Sequence, residues 1–265
     1  MNLLMYKTRF KRTAIVSMVA VFTLMSGCTS DDPDEGSSSD RNSLSGTAVD
    51  GYLAGATVYL DFNENGRRNA GEPNAITDKD GYFSTSKDGL TDYCSSGATT
   101  QEKAHCLSAI ETGFEVILRT YGGFDVYTGE PFMGSMSAKI SAADFNSNGV
   151  LEDQIISPIT SLLTELAEDD RSAFEAAYNL DLDVDENRDF LSSGGFDADT
   201  TNAAIAFHKI VTIFSAVLDD YYEEIGSDNQ SFPISSSIFI YEAIADVVRT
   251  GGGTKVTAAN VGGVF

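Results

Sequence analysis

A chain of 265 residues can form one large or two small domains, and its 42% hydrophobic content is enough to fill their cores. The 17 Lys and Arg face 40 Asp and Glu, a formal charge of −23, and the charge from Cys28 onward is −27 because the first 27 residues hold four basic and no acidic side chains. So acidic a surface repels a phosphate backbone, which argues against a nucleic-acid partner, and leaves most of the carboxylates as a solvated, self-repelling face.

The N-terminus reads as an address. Lys7, Arg9, Lys11 and Arg12 lead into an apolar run over 13–25, and Ser26-Gly27 then sets two small residues before Cys28. The run is shorter than the roughly 20 apolar residues of a membrane span and is followed at once by Thr29-Ser30-Asp31-Asp32. The pattern resembles the lipobox of bacterial lipoproteins, with Met25 where leucine is commoner. The resemblance implies cleavage of a signal peptide over 1–27, acylation of Cys28 and attachment to a membrane through lipid. Thr29, standing where aspartate would direct inner-membrane retention, implies the outer membrane. Residues 28–43 carry almost no large apolar side chain and are rich in Ser, Asp and Gly, so they read as a tether.

A first domain is expected over 44–143. The runs 44–50 and 54–62 favour strands, and Val58-Tyr59-Leu60 feeds directly into D-F-N-E-N-G-R-R-N-A-G-E. In that stretch Asp61, Asn63, Asn65 and Asn69 fall at loop positions one, three, five and nine. Arg67 offers its carbonyl at seven, Gly66 sits at six and Glu72 closes at twelve. This is the spacing of an EF-hand-type calcium loop. A calcium ion takes about six to eight oxygens, so alternate side chains turn inward, the chain reverses at a glycine, and a carboxylate arrives last to bind through both oxygens. The competing reading is a polar turn between strands.

After the loop, Ala75-Ile76-Thr77 and Tyr82-Phe83-Ser84-Thr85 flank the turn Asp78-Lys79-Asp80-Gly81, which predicts a hairpin. Asp78 and Asp80 would approach the calcium loop if that hairpin folded over it. Further strands are expected over 114–120 and 133–140. Several short strands at this spacing predict a β-sandwich.

Two segments, D-x-N-x-N-G-x-x-x-x-G-E-P and T-D-x-D-G-Y-F, carry a resemblance that covers about 40 residues. The stretch resembles the calcium-dependent B-type repeats of serine-aspartate surface proteins and carboxypeptidase regulatory-like domains. It implies an immunoglobulin- or transthyretin-like sandwich used as a stalk or binding module, with Asp61, Asn63, Asn65 and Glu72 as metal ligands. The strand G-A-T-V-Y-L precedes the loop here, a departure from the order of the repeat. A lipobox, such a sandwich and a helical tail together are similar to envelope lipoproteins of Gram-negative bacteria.

With Cys28 assigned to lipid, Cys94 and Cys106 remain as an even pair in an exported chain, which predicts a disulfide. A zinc site with His105 would lack a fourth ligand. Residues 144–156 read as an acidic linker loop. Asp144, Asn146, Asn148 and Gly149 repeat the opening of the calcium pattern, with Val150 at position seven and Glu152 at nine, but Ile155 stands at twelve. A second, differently closed metal site and an Asx-rich linker are both open there. The run Asp181 to Asp185 alternates correctly but has Glu186 where the turn wants glycine, and reads as a solvated face.

The remainder, 157–265, is expected to form a small α-helical bundle, giving an α+β chain. Ser157-Pro158 is an N-cap with a first-turn proline, and Ser172 with Glu175 forms a capping-box pattern. The longest periodic segment runs over 201–225 and includes His208, and a last helix carries Ile240, Ile244, Val247 and Val248. There is no G-x-S-x-G, no phosphate-cradling loop and no H-E-x-x-H, and the chain has 2 histidines. The expected role is therefore a non-enzymatic binding, adhesion or scaffold protein with calcium as cofactor and a protein or polysaccharide partner. A carbohydrate- or peptide-binding accessory role would use Tyr82 and the aromatics of 121–127. A hydrolase would need a pair of carboxylates in one cleft.

Overall fold

The computed structural model describes residues 42–107, 115–167 and 170–178, together with 189, 191, 241–243, 245–247 and 249–250. These residues are mostly β-sheet with a few short helices, a β-rich α+β arrangement. In chain order the strands are β1 (Ser43–Ala48), β2 (Leu53–Ala54), β3 (Thr57–Asp61), β4 (Asn74–Ile76), β5 (Tyr82–Phe83), β6 (Val116–Tyr121), β7 (Phe124–Asp125), β8 (Ser135–Ile140) and β9 (Val150–Ile156). Helices α1 (Pro158–Glu165) and α2 (Arg171–Tyr178) follow. The sheets are β4-β3-β6-β8, all antiparallel, β5-β1-β9, and the pair β2-β7.

β3 is T-V-Y-L-D, whose branched and aromatic residues suit a pleated surface, and its period of two sends Val58 and Leu60 to one face. Those two join Leu118, Met136 and Ile140 from the same sheet and Leu44, Phe83 and Ile156 from the β5-β1-β9 sheet in one buried cluster. Burying each such side chain contributes about 1.5–3 kcal/mol. The opposite face of β3, with Tyr59 and Asp61, is also buried. It carries polar groups, of which the Asp61 carboxylate is hydrogen-bonded and the Tyr59 hydroxyl is not.

Ser157 caps α1 as expected: its side chain accepts from Thr160 N, and Pro158 occupies the first turn. Small residues let this helix approach β8 closely. Ser137 N donates to Ser161 Oγ at 2.8 Å, and Thr160 Oγ1 donates to the Ser137 carbonyl at 2.7 Å.

Three expectations are corrected. The turn at Asp78 forms, with Asp78 N donating to the Tyr82 carbonyl at 2.7 Å, but β4 and β5 are not a hairpin. β4 pairs with β3 and β5 with β1, so the turn carries the chain from one sheet to the other. Thr77 explains the switch. Its backbone N donates to the Ala56 carbonyl at 2.8 Å, its hydroxyl oxygen accepts from Ala56 N at 2.8 Å, and its hydroxyl donates to the Leu53 carbonyl, which ties the end of β4 to the β2–β3 connection.

The second correction concerns 144–156. Its last seven residues are β9, which runs parallel to β1 and buries Gln154, Ile155 and Ile156. Between the partners of Leu44 and Gly46, β9 holds one residue more than β1, a bulge centred on exposed Glu152 and Asp153, the latter at φ 57°. That acidic bulge disguised the strand as a linker. The third correction is local: α2 begins at Arg171, so Ser172 lies inside its first turn instead of capping it.

The helix over 201–225 and His208 lie outside the described residues, as does the run 181–185. Helical backbone is present at 241–243, 245–247 and 249–250, where Tyr241 and Ala245 are buried and Val247 is half-buried. Ile240, Ile244 and Val248 lie outside the described residues.

Candidate metal-binding loop

The loop over 61–72 hangs from the end of β3. The antiparallel register sets Tyr59 opposite Arg119 and Asp61 opposite Ile117, so Asp61 and Arg119 are diagonal neighbours on one face. Asp61, fully buried, accepts at Oδ2 from Arg119 Nε and from Gly66 N, each at 2.8 Å, and at Oδ1 from Asn65 N at 3.1 Å. Asn63 Oδ1 accepts from Asn65 N at 3.2 Å, and Asn65 Oδ1 from Arg67 N at 2.9 Å. Gly66 sits at φ 70°, the left-handed conformation that a glycine adopts without strain. The side chains at positions one, three and five are thus turned back over the loop by its own amides.

Asn69 Nδ2 donates to the Arg67 carbonyl at 2.9 Å and to Asn65 Oδ1 at 3.3 Å. Asn69 N donates to Glu72 Oε2 at 2.6 Å. Glu72 is 93% buried, yet its Oε1 has no hydrogen-bond partner. A buried carboxylate oxygen left without a donor is costly, because it has surrendered water and gained nothing. An oxygen-seeking cation would supply the missing partner, so the donor set fits calcium: two carboxylates, three amides and a backbone carbonyl. Among the described residues no group of three or more His, Cys, Asp and Glu side chains converges on a metal-sized space, and the loop's oxygens come largely from asparagine instead.

Two residues that sequence reasoning missed belong to this site. Arg119 is 3% exposed within V-I-L-R-T-Y, and a lone charge in an apolar strand signals a buried partner. Tyr59 faces the same charges. Burial pushes its hydroxyl well above the ordinary tyrosine range; Arg119 opposes the rise, Asp61 and Glu72 add to it, and the hydroxyl has no partner.

The second oxygen-rich loop is built differently. Asp144 Oδ2 accepts from Ser141 N at 2.6 Å, closing a capping box on a short 3-10 turn, Ala142–Asp144. Asn146 Oδ1 accepts from Asn148 N at 2.9 Å and from Val150 N at 3.1 Å, while Asn148 and Glu152 are exposed. Asp78 also has donors on both oxygens, from Asp80 N, Tyr82 N and the Tyr93 hydroxyl, and Asp80 pairs with Lys79. These partners account for both aspartates without a metal.

Cys94 and Cys106 are joined as a disulfide. Beside it the Tyr93 ring lies 5.0 Å from that of His105, whose Nδ1 donates to the Ile76 carbonyl at 2.7 Å. Elsewhere Tyr52 lies 6.3 Å from Tyr82 and 5.9 Å from Tyr127, Lys87 Nζ sits 4.7 Å over the Tyr52 ring, and Phe124 and Tyr127 are exposed. Burial pushes the Glu165 carboxyl, at the end of α1, above the usual range; Arg119 opposes this, and Glu242 and Glu64 reinforce it. Cys28 lies outside the described residues, and among those described no helix is long and apolar enough to cross a membrane. Comparison with known protein families, curated proteins and solved structures returns no match.

Proposed function

We propose that this protein is a calcium-stabilised, lipid-anchored envelope protein that serves as a non-catalytic binding, adhesion or scaffold module. The observation that carries the calcium assignment is Glu72: a closing carboxylate at position twelve, buried, with one oxygen bonded inside the loop and the other without a donor. The sharing of one core by the two larger sheets supports an immunoglobulin- or transthyretin-like sandwich. The lipobox-like Ser26-Gly27-Cys28 supports a lipid anchor at Cys28, and Thr29 supports the outer membrane. The polar loop at 144–152 is a weaker candidate for a second ion, because its first carboxylate already caps a turn and its position twelve is Ile155.

The test has two arms. Calcium titrated into the full chain should release or absorb heat with a dissociation constant near the roughly 10⁻⁴–10⁻³ M of extracellular modules. Cys28→Ser should free the protein from membranes, since stable anchoring depends on acyl chains there. Absence of binding heat removes the calcium assignment, and a Cys28→Ser protein that still sediments with membranes after a high-salt wash removes the anchor.

A second function, carbohydrate or peptide binding, is favoured by one surface: Phe124 and Tyr127 are exposed on β7 and the turn after it, and Tyr127 lies against Tyr52, which in turn neighbours Tyr82. Aromatic faces of this kind suit sugar rings or apolar side chains. Loss of glycan or peptide retention in Tyr127→Ala, with folding intact, would favour this second function.

A further inference from the structure

Arg119 is held where a cation is wanted. It lies on a strand paired on both sides, by β3 and by β8, which fixes its backbone beside the loop, and its side chain is buried against Asp61. Its Nε meets the same Asp61 oxygen that Gly66 N meets, so Oδ2 already has two donors. Oδ1 has one, at the longer distance of 3.1 Å. An ion in the loop would therefore approach Asp61 through Oδ1, with the guanidinium on the far oxygen of the same carboxylate.

That placement has two opposite effects. Without an ion, the guanidinium neutralises a carboxylate that would otherwise be buried and unpaired, which keeps the loop folded. With an ion, it is a like charge close by in a medium that screens poorly, which weakens binding. The buried carboxylates of the loop are Asp61 and Glu72, faced by Arg119 from β6, and Glu165 at the end of α1 also lies near that guanidinium. Glu72 escapes this compensation: its second oxygen has no donor, so it retains the demand for a cation that Arg119 has partly met at Asp61.

We propose that Arg119 is a resident counter-cation of the 61–72 loop, which holds the loop folded when calcium is absent and sets its calcium affinity low. The proposal rests on the calcium assignment above and adds how the site is tuned. Such a loop is preorganised, so the ion does not have to fold it. It fills only where calcium is abundant, and at lower concentrations the guanidinium and the loop's own amides keep it folded.

The experiment compares wild type, Arg119→Gln and Arg119→Lys as full chains, by calcium titration calorimetry and by melting in chelator. Arg119→Gln should melt below wild type in chelator, recover most of that loss in excess calcium, and bind calcium roughly tenfold tighter, the direction set by removing a like charge at short range. Arg119→Lys keeps the charge and should bind within about threefold of wild type. If wild type binds and Arg119→Gln binds no tighter, the counter-cation role is overturned while the calcium site stands. Equal tightening in Arg119→Lys would show that shape, not charge, sets the affinity, and would also overturn it. Should Arg119→Gln stay unfolded even in excess calcium, the ion cannot replace the guanidinium and the proposal fails. No heat from any of the three removes both the site and its tuning.

Discussion

Arg119 Nε and Asp61 Oδ2 form an ion pair at 2.8 Å in which the side chains are 4% and 0% exposed. Burying two charges is favourable only when geometry and further hydrogen bonds compensate for lost hydration, and here the Gly66 and Asn65 amides complete the carboxylate. The pair ties the end of β3, which launches the loop, to β6, its neighbour in the middle of the four-stranded sheet.

Asp61→Asn keeps an acceptor for the loop amides but strands the guanidinium. Removing one partner of a buried pair costs about 3–5 kcal/mol. Urea unfolding of the variant should show a loss of that order in chelator and in calcium alike, because the ion repels Arg119 instead of pairing with it. A loss under about 1 kcal/mol would show that the pair is effectively solvated.

The Cys94–Cys106 bridge closes a segment whose ends are otherwise held by the Tyr93 N and Ser84 N hydrogen bonds to the Ser84 and His105 carbonyls. In the chain-entropy model, opening a loop with a sequence separation of 12 costs roughly 3 kcal/mol. A Cys94→Ser, Cys106→Ser double variant should lose about that much in denaturant unfolding. Peptide mapping of the full chain without reductant should recover the two cysteines on one linked fragment, and free thiols at both would contradict it.

Glu165 gives a pH dependence of known sign. Burial raises its folded carboxyl above its unfolded range, so folding favours the protonated form. Its contribution is fully present below the unfolded carboxylate pKa and is lost as pH rises through the folded one. Glu165→Gln mimics the protonated state. Relative to wild type it should therefore gain stability as pH rises above the ordinary carboxylate range, as read from unfolding midpoints at each pH, and a pH-independent difference would refute the burial effect.

Where hydrophobic pattern and local turn chemistry agreed with the tertiary structure, the sequence was readable. β1, β3, β6 and β8 stand close to their expected positions, and Ser157-Pro158 opens α1. β9 was hidden because its bulge exposes Glu152 and Asp153, which with Gln154 interrupt the apolar residues at its two ends. The Asp78 turn was legible, whereas its sheet-to-sheet crossing was not, since strand partners are chosen by contacts far away in sequence. At the loop, the spacing of Asp61, Asn63, Asn65, Gly66 and Glu72 was visible as a pattern. The pairing of Asp61 with Arg119, 58 positions away, depends on the β3–β6 register, which no local signal encodes.

Melting of the full chain with calcium, with magnesium and with chelator, in wild type and in Glu72→Gln, tests most directly the proposal that calcium stabilises the loop. Calcium at one to ten times a submillimolar to millimolar dissociation constant adds about 0.4–1.4 kcal/mol by mass action, a small but measurable rise in melting temperature. Magnesium, which demands tight octahedral geometry and keeps its water, should substitute poorly. Glu72→Gln removes the carboxylate whose Oε1 lacks a partner and should abolish the calcium increment, while Asp144→Asn should leave most of it. An unchanged melting temperature in all three conditions, or an increment that survives Glu72→Gln, would contradict calcium binding at the 61–72 loop.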